Sequence, residues 1–451
     1  QNFADIVDTL TTDTVTISEN LPAGTYYARV RTTNEFGHVS GWSLAKEISV
    51  GLFAHKIDMA TSGYNTQDRP IDFVLNNDNI VILSNFGDVP TNDATSDEFN
   101  VSKVDFDGKI LTQKTYVKYA VSPKGISKTS NGYLLIGNAR SHYKNKTIFE
   151  ISEAGTKLWQ QDIDHNLNLD TQTMTTEYVD GAVQLSDNTY VFINTTYNYT
   201  ITGPLNSWGT YPTTLDNKEL KISILDKSSA TPQITSHTIS NPDSGSYDYL
   251  NKLLLTDSNL YAAGRYTRSS GMTGSSTDDN YIPATTDSGS FLISMDKADG
   301  SIISHKTGGG ISNSNISGLI ELTNGEITVS YSNHQTGVTT TFASNANTSI
   351  SKRDNTIVYP KITSEPNGGY FMAGASISDP KKSIISRYNN ENQRIGIPHT
   401  FNSCFKNLDI TSIKYHPDYG LIALGTDQST TSYYSSKHTV LFNITDDFKY
   451  L

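Results

Sequence analysis

Cysteine is nearly absent from this sequence, since Cys404 is the single example in 451 residues. One cysteine excludes a disulfide framework within the chain. The residues around Cys404 form no thiol-enzyme signature, so we interpret it as a buried or incidental thiol. The cysteine count therefore indicates no particular cellular compartment.

Basic runs and long apolar runs are also missing. Lys and Arg number 34 against 46 Asp and Glu, which gives a formal net charge of −12. Such a balance argues against a nucleic-acid partner and against binding to an anionic membrane surface. No stretch approaches the roughly 20 apolar residues of a membrane span. The N-terminus lacks a charged segment followed by an apolar one, so we expect no signal peptide.

The residues that are abundant favour strands and polar turns. The chain contains 32 Gly and 26 Tyr against 16 Phe, and hydrophobic residues make up only 35% of it. No helical period of 3.6 extends over a useful length, whereas short alternating segments bounded by Gly, Asn or Asp are common. The composition and this pattern together predict an all-β protein.

A hairpin-like element recurs seven times, at a spacing of roughly 45 to 70 residues that is typical of propeller blades with insertions. Each copy is a short strand, a Gly, Asn or Asp turn, and a second, apolar strand. The seven copies begin at Ile71, Gly125, Gly181, Asn251, Gly318, Lys361 and Thr411. One hairpin cannot bury its faces alone, but stacked four-stranded blades can.

This repeat predicts a seven-bladed β-propeller of four-stranded blades over residues 52–451. In blade seven, residues 438–443 and 448–451 are expected to be strands three and four, so that the ring closes without a strand borrowed from the N-terminus. Blade five is the least regular, with residues 339–342 as its one candidate outer strand. A six-bladed ring or a pair of β-sandwiches remains an alternative.

Residues 14–50 carry a different pattern, with strand-like alternation around Val15, over residues 26–31, and up to Val50. The run LPAGTYYARVR from Leu21, followed by residues 34–43, resembles the E, F and G strands of a fibronectin type III domain. The resemblance implies a tyrosine corner at Tyr27 or Tyr26. Because such a domain needs about 90–100 residues, residues 1–51 are expected to be a partial sandwich in the C-terminal part of a longer polypeptide. Docking of these strands on the propeller as an accessory sheet is the alternative.

Motifs for chemistry are scarce. The sequence has no nucleophile elbow, no phosphate-cradling Gly loop and no metal-spaced histidine pair. Two acidic turns, with Asp105 and Asp107 in one and Asp296 and Asp299 in the other, are candidate calcium ligands. Asp and Gly are also ordinary turn residues. We therefore expect no cofactor, and calcium at these two turns is the one candidate ligand of this kind.

Long connections between strands two and three are expected at the propeller face that also holds the links between blades. Loops on a rigid scaffold concentrate function, and Tyr and Trp offer rigid amphipathic contact area. The candidate ligand-binding residues on this face are Arg140, His142, Tyr199, Trp208, Tyr211, Tyr266, Arg268, Tyr281, Tyr433 and Tyr434. Packing of these side chains onto the blades is the alternative.

From these features we expect an extracellular recognition or adhesion module that binds a glycan or protein receptor on a cell surface. Its carrier would be a bacterial surface protein or a phage tail tip. The lack of catalytic motifs favours binding over catalysis. The alternatives are a glycoside hydrolase with carboxylates in the propeller funnel and a structural assembly subunit.

Overall fold

A computed structural model of the chain describes most of the residues from Gly24 to Ile444. The described ranges are 24–28, 31, 33, 36–44, 46–50, 52–57, 67–87, 98–116, 121–139, 146–163, 166–204, 211–229, 231–239, 246–267, 288–308, 316–333, 336–343, 349–379, 382–400, 408–428 and 437–444. Within these ranges every regular element is a β-strand. No helix in the described part of the chain has the length and apolar character needed to cross a membrane.

The N-terminal segment contributes one small sheet. Strand β1 (Gly24–Ala28) pairs antiparallel with β2 (Lys46–Val50), in a register that places Gly24 opposite Val50. The Arg31 guanidinium lies 4.6 Å from the centre of the Trp42 ring. A fibronectin-like sandwich is not shown by this hairpin, and the side chains of Tyr26 and Tyr27 lie outside the described residues.

Seven blades follow, and they confirm the predicted seven-bladed propeller of four-stranded blades. They form six hydrogen-bonded sheets, because a single pair, Lys437 with Gln67, joins blade seven to blade one. Strand β3 (Leu52–Ile57) comes first in the chain. Blade one contains β4 (Gln67–Leu75), β5 (Ile80–Gly87), β6 (Glu98–Val104) and β7 (Ile110–Tyr116). Blade two contains β8 (Val121–Lys128), β9 (Gly132–Ala139), β10 (Lys146–Ser152) and β11 (Lys157–Ile163).

Blade three has an additional short strand at its inner edge. It contains β12 (Asn166–Asn168), β13 (Thr173–Ser186), β14 (Thr189–Ile201), β15 (Thr213–Asp226) and β16 (Gln233–Ile239). Blade four contains β17 (Ser246–Leu255), β18 (Leu260–Thr267), β19 (Ser288–Met295) and β20 (Ile302–Gly308). Blade five contains β21 (Ile316–Glu321), β22 (Ile327–Asn333), β23 (Thr336–Phe342) and β24 (Ser349–Asp354).

The last two blades complete the ring. Blade six contains β25 (Ile357–Ser364), β26 (Tyr370–Ser376), β27 (Ser383–Tyr388) and β28 (Arg394–Thr400). Blade seven contains β29 (Leu408–His416), β30 (Gly420–Gln428) and β31 (Lys437–Ile444). The predicted outer strand of blade five is confirmed as β23, and a six-bladed ring is excluded.

Closure of the ring differs from the sequence prediction. β31 pairs on one side with β30 and on the other with β3, in a register from Leu52 opposite Ile444 to Ile57 opposite Thr439. A strand from the N-terminal side therefore supplies the fourth strand of blade seven. The expectation that no such strand is borrowed is wrong, and the predicted strand at residues 448–451 lies outside the described residues.

Hydrophobic packing between blades holds the ring together. The described core residues form seven clusters, each of which joins two neighbouring blades. The seam between blades one and two, for example, includes Leu83 and Phe149, and Ile57 of β3 packs in the seam between blades seven and one. Each sheet thus buries both faces, which is why the strands carry so many apolar residues in sequence.

Tight turns fix the hairpins of the blades. Gly369 follows a turn in blade six with φ of +87°, and a Cβ there would lie 1.9 Å from the carbonyl oxygen of Tyr388. Both the backbone angle and the close approach exclude a side chain. Glycine at position 369 therefore has a direct steric cause.

Candidate functional site in the central channel

The innermost strands of the seven blades surround a central channel. They are β4, β8, β13, β17, β21, β25 and β29, and each contacts its neighbours in a closed ring that includes β29 against β4. All seven have a β-bulge at the same level of the hairpin, where one more residue stands on the inner strand than on its partner. The bulges fall between Pro70 and Asp72, Pro123 and Gly125, Val179 and Gly181, Leu250 and Lys252, Ile316 and Gly318, Val358 and Lys361, and Ile410 and Ser412.

Charged side chains stand at or beside these bulges in six of the blades. A bulge re-aims side chains relative to a regular strand. The charged residues are Asp72, Lys124, Asp180, Lys252, Lys361 and Asp409, from blades one, two, three, four, six and seven. We call this set the channel charges. Three are acidic and three are basic, so opposite charges line one narrow space.

Lys361 interacts electrostatically with charged residues of other blades. Its ammonium group is influenced electrostatically by Lys252 of blade four and Asp72 of blade one, as well as by Asp409 of the adjacent blade. Blades four and one do not adjoin blade six, so these interactions cross the channel. Burial, with a further contribution from Lys252, lowers the pKa of Lys361 to about 8. Its side chain still keeps partial contact with solvent, as expected in a narrow water-filled channel.

Asp180 experiences the opposite shift. Burial raises the pKa of the Asp180 carboxyl above its usual value, against the opposing influence of Lys124, Lys252 and Lys218. The desolvation cost of the carboxylate thus exceeds the attraction of three nearby cations. Perturbed acids and bases that gather in a concave space are typical of functional sites.

The channel charges differ in how they are bonded. Asp72 accepts a hydrogen bond from the Ser412 hydroxyl at 3.0 Å and lies 3.4 Å from the Lys414 ammonium. Within the described part of the chain, no hydrogen bond or ion pair fixes Asp180 or Lys361. The same holds for Lys124 and Lys252, which are both exposed. The channel therefore holds four charged groups that have no dedicated protein partner among the described residues.

Blade three forms a wall beside the channel. β13, β14 and β15 are longer than the corresponding strands of other blades, and they extend at the face where blades connect. On the side that faces blade four, Tyr197 stacks with Tyr199 at 6.2 Å and meets Tyr178 edge-on at 5.6 Å. The Lys218 ammonium lies 5.6 Å from the centre of the Tyr197 ring. We call these four residues the tyrosine wall.

The predicted ligand-binding residues fall in three kinds of place. Tyr199 is half-buried in the tyrosine wall, and Tyr211 is half-buried just before β15. Tyr266 is only 6% exposed and packs in the core between blades three and four, so its ring fills the seam. The other candidates lie outside the described residues: Arg140, His142, Trp208, Arg268, Tyr281, Tyr433 and Tyr434.

The acidic turns are closed by their own carboxylates. Asp105 Oδ1 accepts the backbone N–H groups of Asp107 and Lys109, at 3.1 and 2.8 Å. Asp296 and Asp299 accept the N–H groups of Ala298 and Ser301 in the same way. No group of three or more His, Cys, Asp or Glu side chains is arranged for a metal among the residues described. Calcium binding at these turns stays a prediction.

Sequence reasoning missed the channel charges. The repeat elements were recognised from Gly125 and Gly181 onward, and the charged residue immediately before each of them, Lys124 or Asp180, was not included. Alignment of all seven inner strands at the bulge would have placed these residues at one level. Lys124 and Asp180 immediately precede the recurrent Gly, and Asp72, Lys252 and Lys361 occupy the position of that Gly in their own blades.

Neither a protein-family model nor a curated protein matches the chain. Among solved structures it is similar to puromycin hydrolase, with 10% identity, a TM-score of 0.47, and coverage of 84% of this chain and 52% of that chain. A puromycin-hydrolysing peptidase from Mycobacterium tuberculosis gives 6% identity, a TM-score of 0.46, and coverage of 85% and 52%. An apocarotenoid oxygenase from Synechocystis gives 9% identity, a TM-score of 0.43, and coverage of 74% and 71%.

These similarities correct the functional expectation. The chain spans about half of the length of the puromycin-hydrolysing enzymes, and the solved structures named above are enzymes. They give no support to adhesion, to receptor binding or to a phage or surface-protein carrier, so that interpretation is wrong. Because identities are at most 10% and TM-scores lie below 0.5, no activity carries over to this chain. Its function has to be argued from its own residues.

Proposed function

We propose that the central channel is a binding site for a small anionic molecule. The observation that carries the proposal is that Lys124 and Lys252 both interact with Asp180 and that Lys252 also interacts with Lys361. The three lysines come from three different blades, and none has a dedicated acceptor among the described residues. Enclosing the unpaired ammonium group of Lys361 costs free energy, and an anion that bridges it to the exposed ammonium group of Lys252 would offset that cost. A carboxylate or phosphate group fits this arrangement.

Asp180 adds proton chemistry to that site. With its pKa raised by burial, this carboxyl retains its proton closer to neutral pH than an ordinary aspartate does. A protonated carboxyl donates a hydrogen bond to a bound anion instead of repelling it. The same group is suited to act as a general acid toward a molecule in the channel. Acid–base catalysis is therefore the second candidate function.

Thermal unfolding with added anions tests the proposal. Citrate or phosphate should raise the melting temperature beyond sodium chloride of equal ionic strength, because a ligand that binds the native state stabilises it by about 2.7 kcal/mol at 100 times its Kd. Lys252→Met and Lys361→Met should each abolish the shift. Lys382→Met is the matched control, since Lys382 is exposed and pairs with Asp379 at 3.2 Å on the surface. Equal shifts in all four proteins would contradict a channel site.

For residues 14–50 we infer a fibronectin type III-like strand arrangement. Support comes from the pairing of β1, which begins at Gly24-Thr25-Tyr26, with β2, as the F and G strands of that family pair. Tyr27→Phe and Tyr26→Phe test the tyrosine corner. One of the two variants should lower the resistance of this segment to limited proteolysis, whereas equal behaviour of both would argue against the inference.

A further inference from the structure

The channel charges include one amine in an unusual setting. Most buried or half-buried lysines of the described chain have an acceptor: Lys414 donates to the carbonyl of Phe73, Lys306 to that of Ala343, and Lys227 pairs with Glu150. Lys361 is more enclosed than Lys124 and Lys252 and, like them, has no acceptor among the described residues. An enclosed amine without an acceptor is available for reaction.

The backbone on both sides of Lys361 is firmly held. Tyr359, two residues before it, has φ of +53° at the bulge, a conformation that is costly for a bulky residue. β26 packs closely there, since a Cβ on Gly374 would lie 2.3 Å from the carbonyl oxygen of Val358. On the other side, Ile362 is 7% exposed and packs in the seam with blade five. Because successive strand residues point to opposite faces of the sheet, the Lys361 side chain lies on the face toward blade seven, the blade that contributes Asp409.

The charges that face this amine come from three blades. Lys252 is a like charge across the channel, whereas Asp72 and Asp409 are opposite charges. Asp72 already accepts a hydrogen bond from Ser412 and lies close to Lys414. These two partners partly compensate its negative charge, so Asp72 stabilises the ammonium form of Lys361 less. A like charge and desolvation both favour the neutral amine, and the neutral amine is the nucleophile.

We propose that Lys361 forms an imine with the carbonyl group of an anionic aldehyde or 2-oxo acid that binds in the channel. This inference rests on the proposed anion site, and it names the class of molecule that the site takes. Lys252 and Lys124 would hold the carboxylate or phosphate, while the carbonyl carbon lies against Lys361 Nζ. The tyrosine wall stands beside these charges, since Tyr178 and Lys218 both interact electrostatically with Asp180.

The step balances without an oxidant or a reductant. The lone pair of Nζ forms a bond to the carbonyl carbon, and the carbonyl oxygen takes a proton to give the carbinolamine. The hydroxyl then leaves as water and a carbon–nitrogen double bond forms. Both hydrogens of that water derive from the amine, so one amine and one carbonyl give one imine and one water.

Reductive trapping tests the proposal on the intact chain. The protein is incubated at pH 7 with glyoxylate and cyanoborohydride, and the adducts are located by peptide mass spectrometry. We expect one equivalent of adduct at Lys361, formed about tenfold or more faster than at the surface residue Lys382. The reason is that each unit by which the pKa of Lys361 is lowered raises its neutral fraction about tenfold. Adducts spread over exposed lysines, with Lys361 no faster than Lys382, would overturn it.

Modification by a neutral aldehyde tests imine formation at Lys361 independently of the proposed anion site. If propionaldehyde modifies Lys361 as fast as glyoxylate does, the reactive amine stands and the anion site fails. If citrate stabilises the protein but neither aldehyde modifies Lys361, the anion site stands and the imine proposal fails. Lys361→Arg should remove the dominant adduct and retain the background at Lys382.

A second variant tests the role of the neighbouring charge. Lys252→Met removes the like charge and should raise the pKa of Lys361, so modification by propionaldehyde at pH 7 should fall several-fold. Modification of Lys361 should level off above about pH 8. An unchanged rate in Lys252→Met, or a rate at Lys361 that keeps rising well above pH 8, would contradict the inference.

Discussion

Charged side chains occupy two interior regions of this propeller, and they are treated differently in each. In the seam between blades two and three, Glu150 is buried to 1% exposure and accepts hydrogen bonds from Trp159 Nε1 at 2.5 Å and from the Tyr190 hydroxyl at 3.0 Å. Lys227 lies 3.6 Å from the same carboxylate oxygen and over both aromatic rings. In the channel, Asp180 and Lys361 have no such partners among the described residues.

The difference distinguishes a charge that stabilises the fold, as Glu150 does, from charges that can interact with a ligand, such as Asp180 and Lys361. A buried carboxylate that has three partners fixes the position of two blades, and its charge is compensated at all times. Charges without partners contribute nothing comparable to the fold, and their pKa values are shifted toward the neutral forms. Substitutions should therefore separate the two regions by the sign of their effect on stability.

The largest effect is expected in the seam. Glu150→Ala leaves the Lys227 ammonium, the Trp159 N–H and the Tyr190 hydroxyl without their common acceptor. Loss of one member of a buried ion pair costs about 3–5 kcal/mol. Chemical denaturation should show a loss of this size, and a loss below about 1 kcal/mol would remove the structural role of Glu150.

A smaller effect of opposite sign is expected in the channel. Lys361→Met replaces an enclosed ammonium by an apolar side chain of similar length, so unfolding should become harder by about 0–2 kcal/mol. The same denaturation experiment measures it. A loss as large as that of Glu150→Ala would show that Lys361 is held as a structural charge and would erase the contrast between the two regions.

Dependence on pH sharpens the contrast further. The folded pKa of Lys361, about 8, lies below the usual value of 10.5, so the unfolded chain binds more protons between these values. Its contribution to stability should rise as pH increases from about 8 to 10.5. The difference in unfolding free energy between wild type and Lys361→Met, followed over this window, checks the sign; a wild type that weakens relative to the variant would refute it.

The smallest effect is expected at the surface of blade two. Glu153 pairs with Lys128 at 2.7 Å, but its side chain is 61% exposed. Exposed pairs contribute about 0.2–1 kcal/mol, so Glu153→Gln should barely shift the denaturation midpoint. As a glutamate of the same blade, it is the matched control for Glu150. A shift comparable to that of Glu150→Ala would mean that burial does not explain the difference.

Local pattern predicted most of this fold. The inner hairpins of all seven blades were recognised because alternation, turn chemistry and burial act over a dozen neighbouring residues, as at β8 and β9. The pairing of β3 with β31 was not predicted, because the two strands are roughly 400 residues apart in the sequence and no local pattern connects them. The outer strand of blade five was recognised from residues 339–342, although its partner β24 was not.

The candidate site was far less accessible to sequence reasoning. Lys252, Lys361 and Asp180 each look like an ordinary strand residue in its own repeat, and they come together only when the ring closes. Aromatic residues in long connections attracted attention instead, and Tyr266 proved to fill a seam. Burial of a charge is a property of the surrounding blades, so no single repeat could reveal it.

Strand β3 also sets the timing of assembly during synthesis. It leaves the ribosome before any complete blade, yet its partner β31 is among the last strands to be made. At about 5–20 residues per second, the intervening segment takes roughly 20–80 s to translate. Throughout that interval the Leu52–Ile57 edge has no partner, and the blades that fold first must wait for blade seven. Until β31 emerges, the nascent chain therefore presents an unpaired strand edge to aggregation and to proteases.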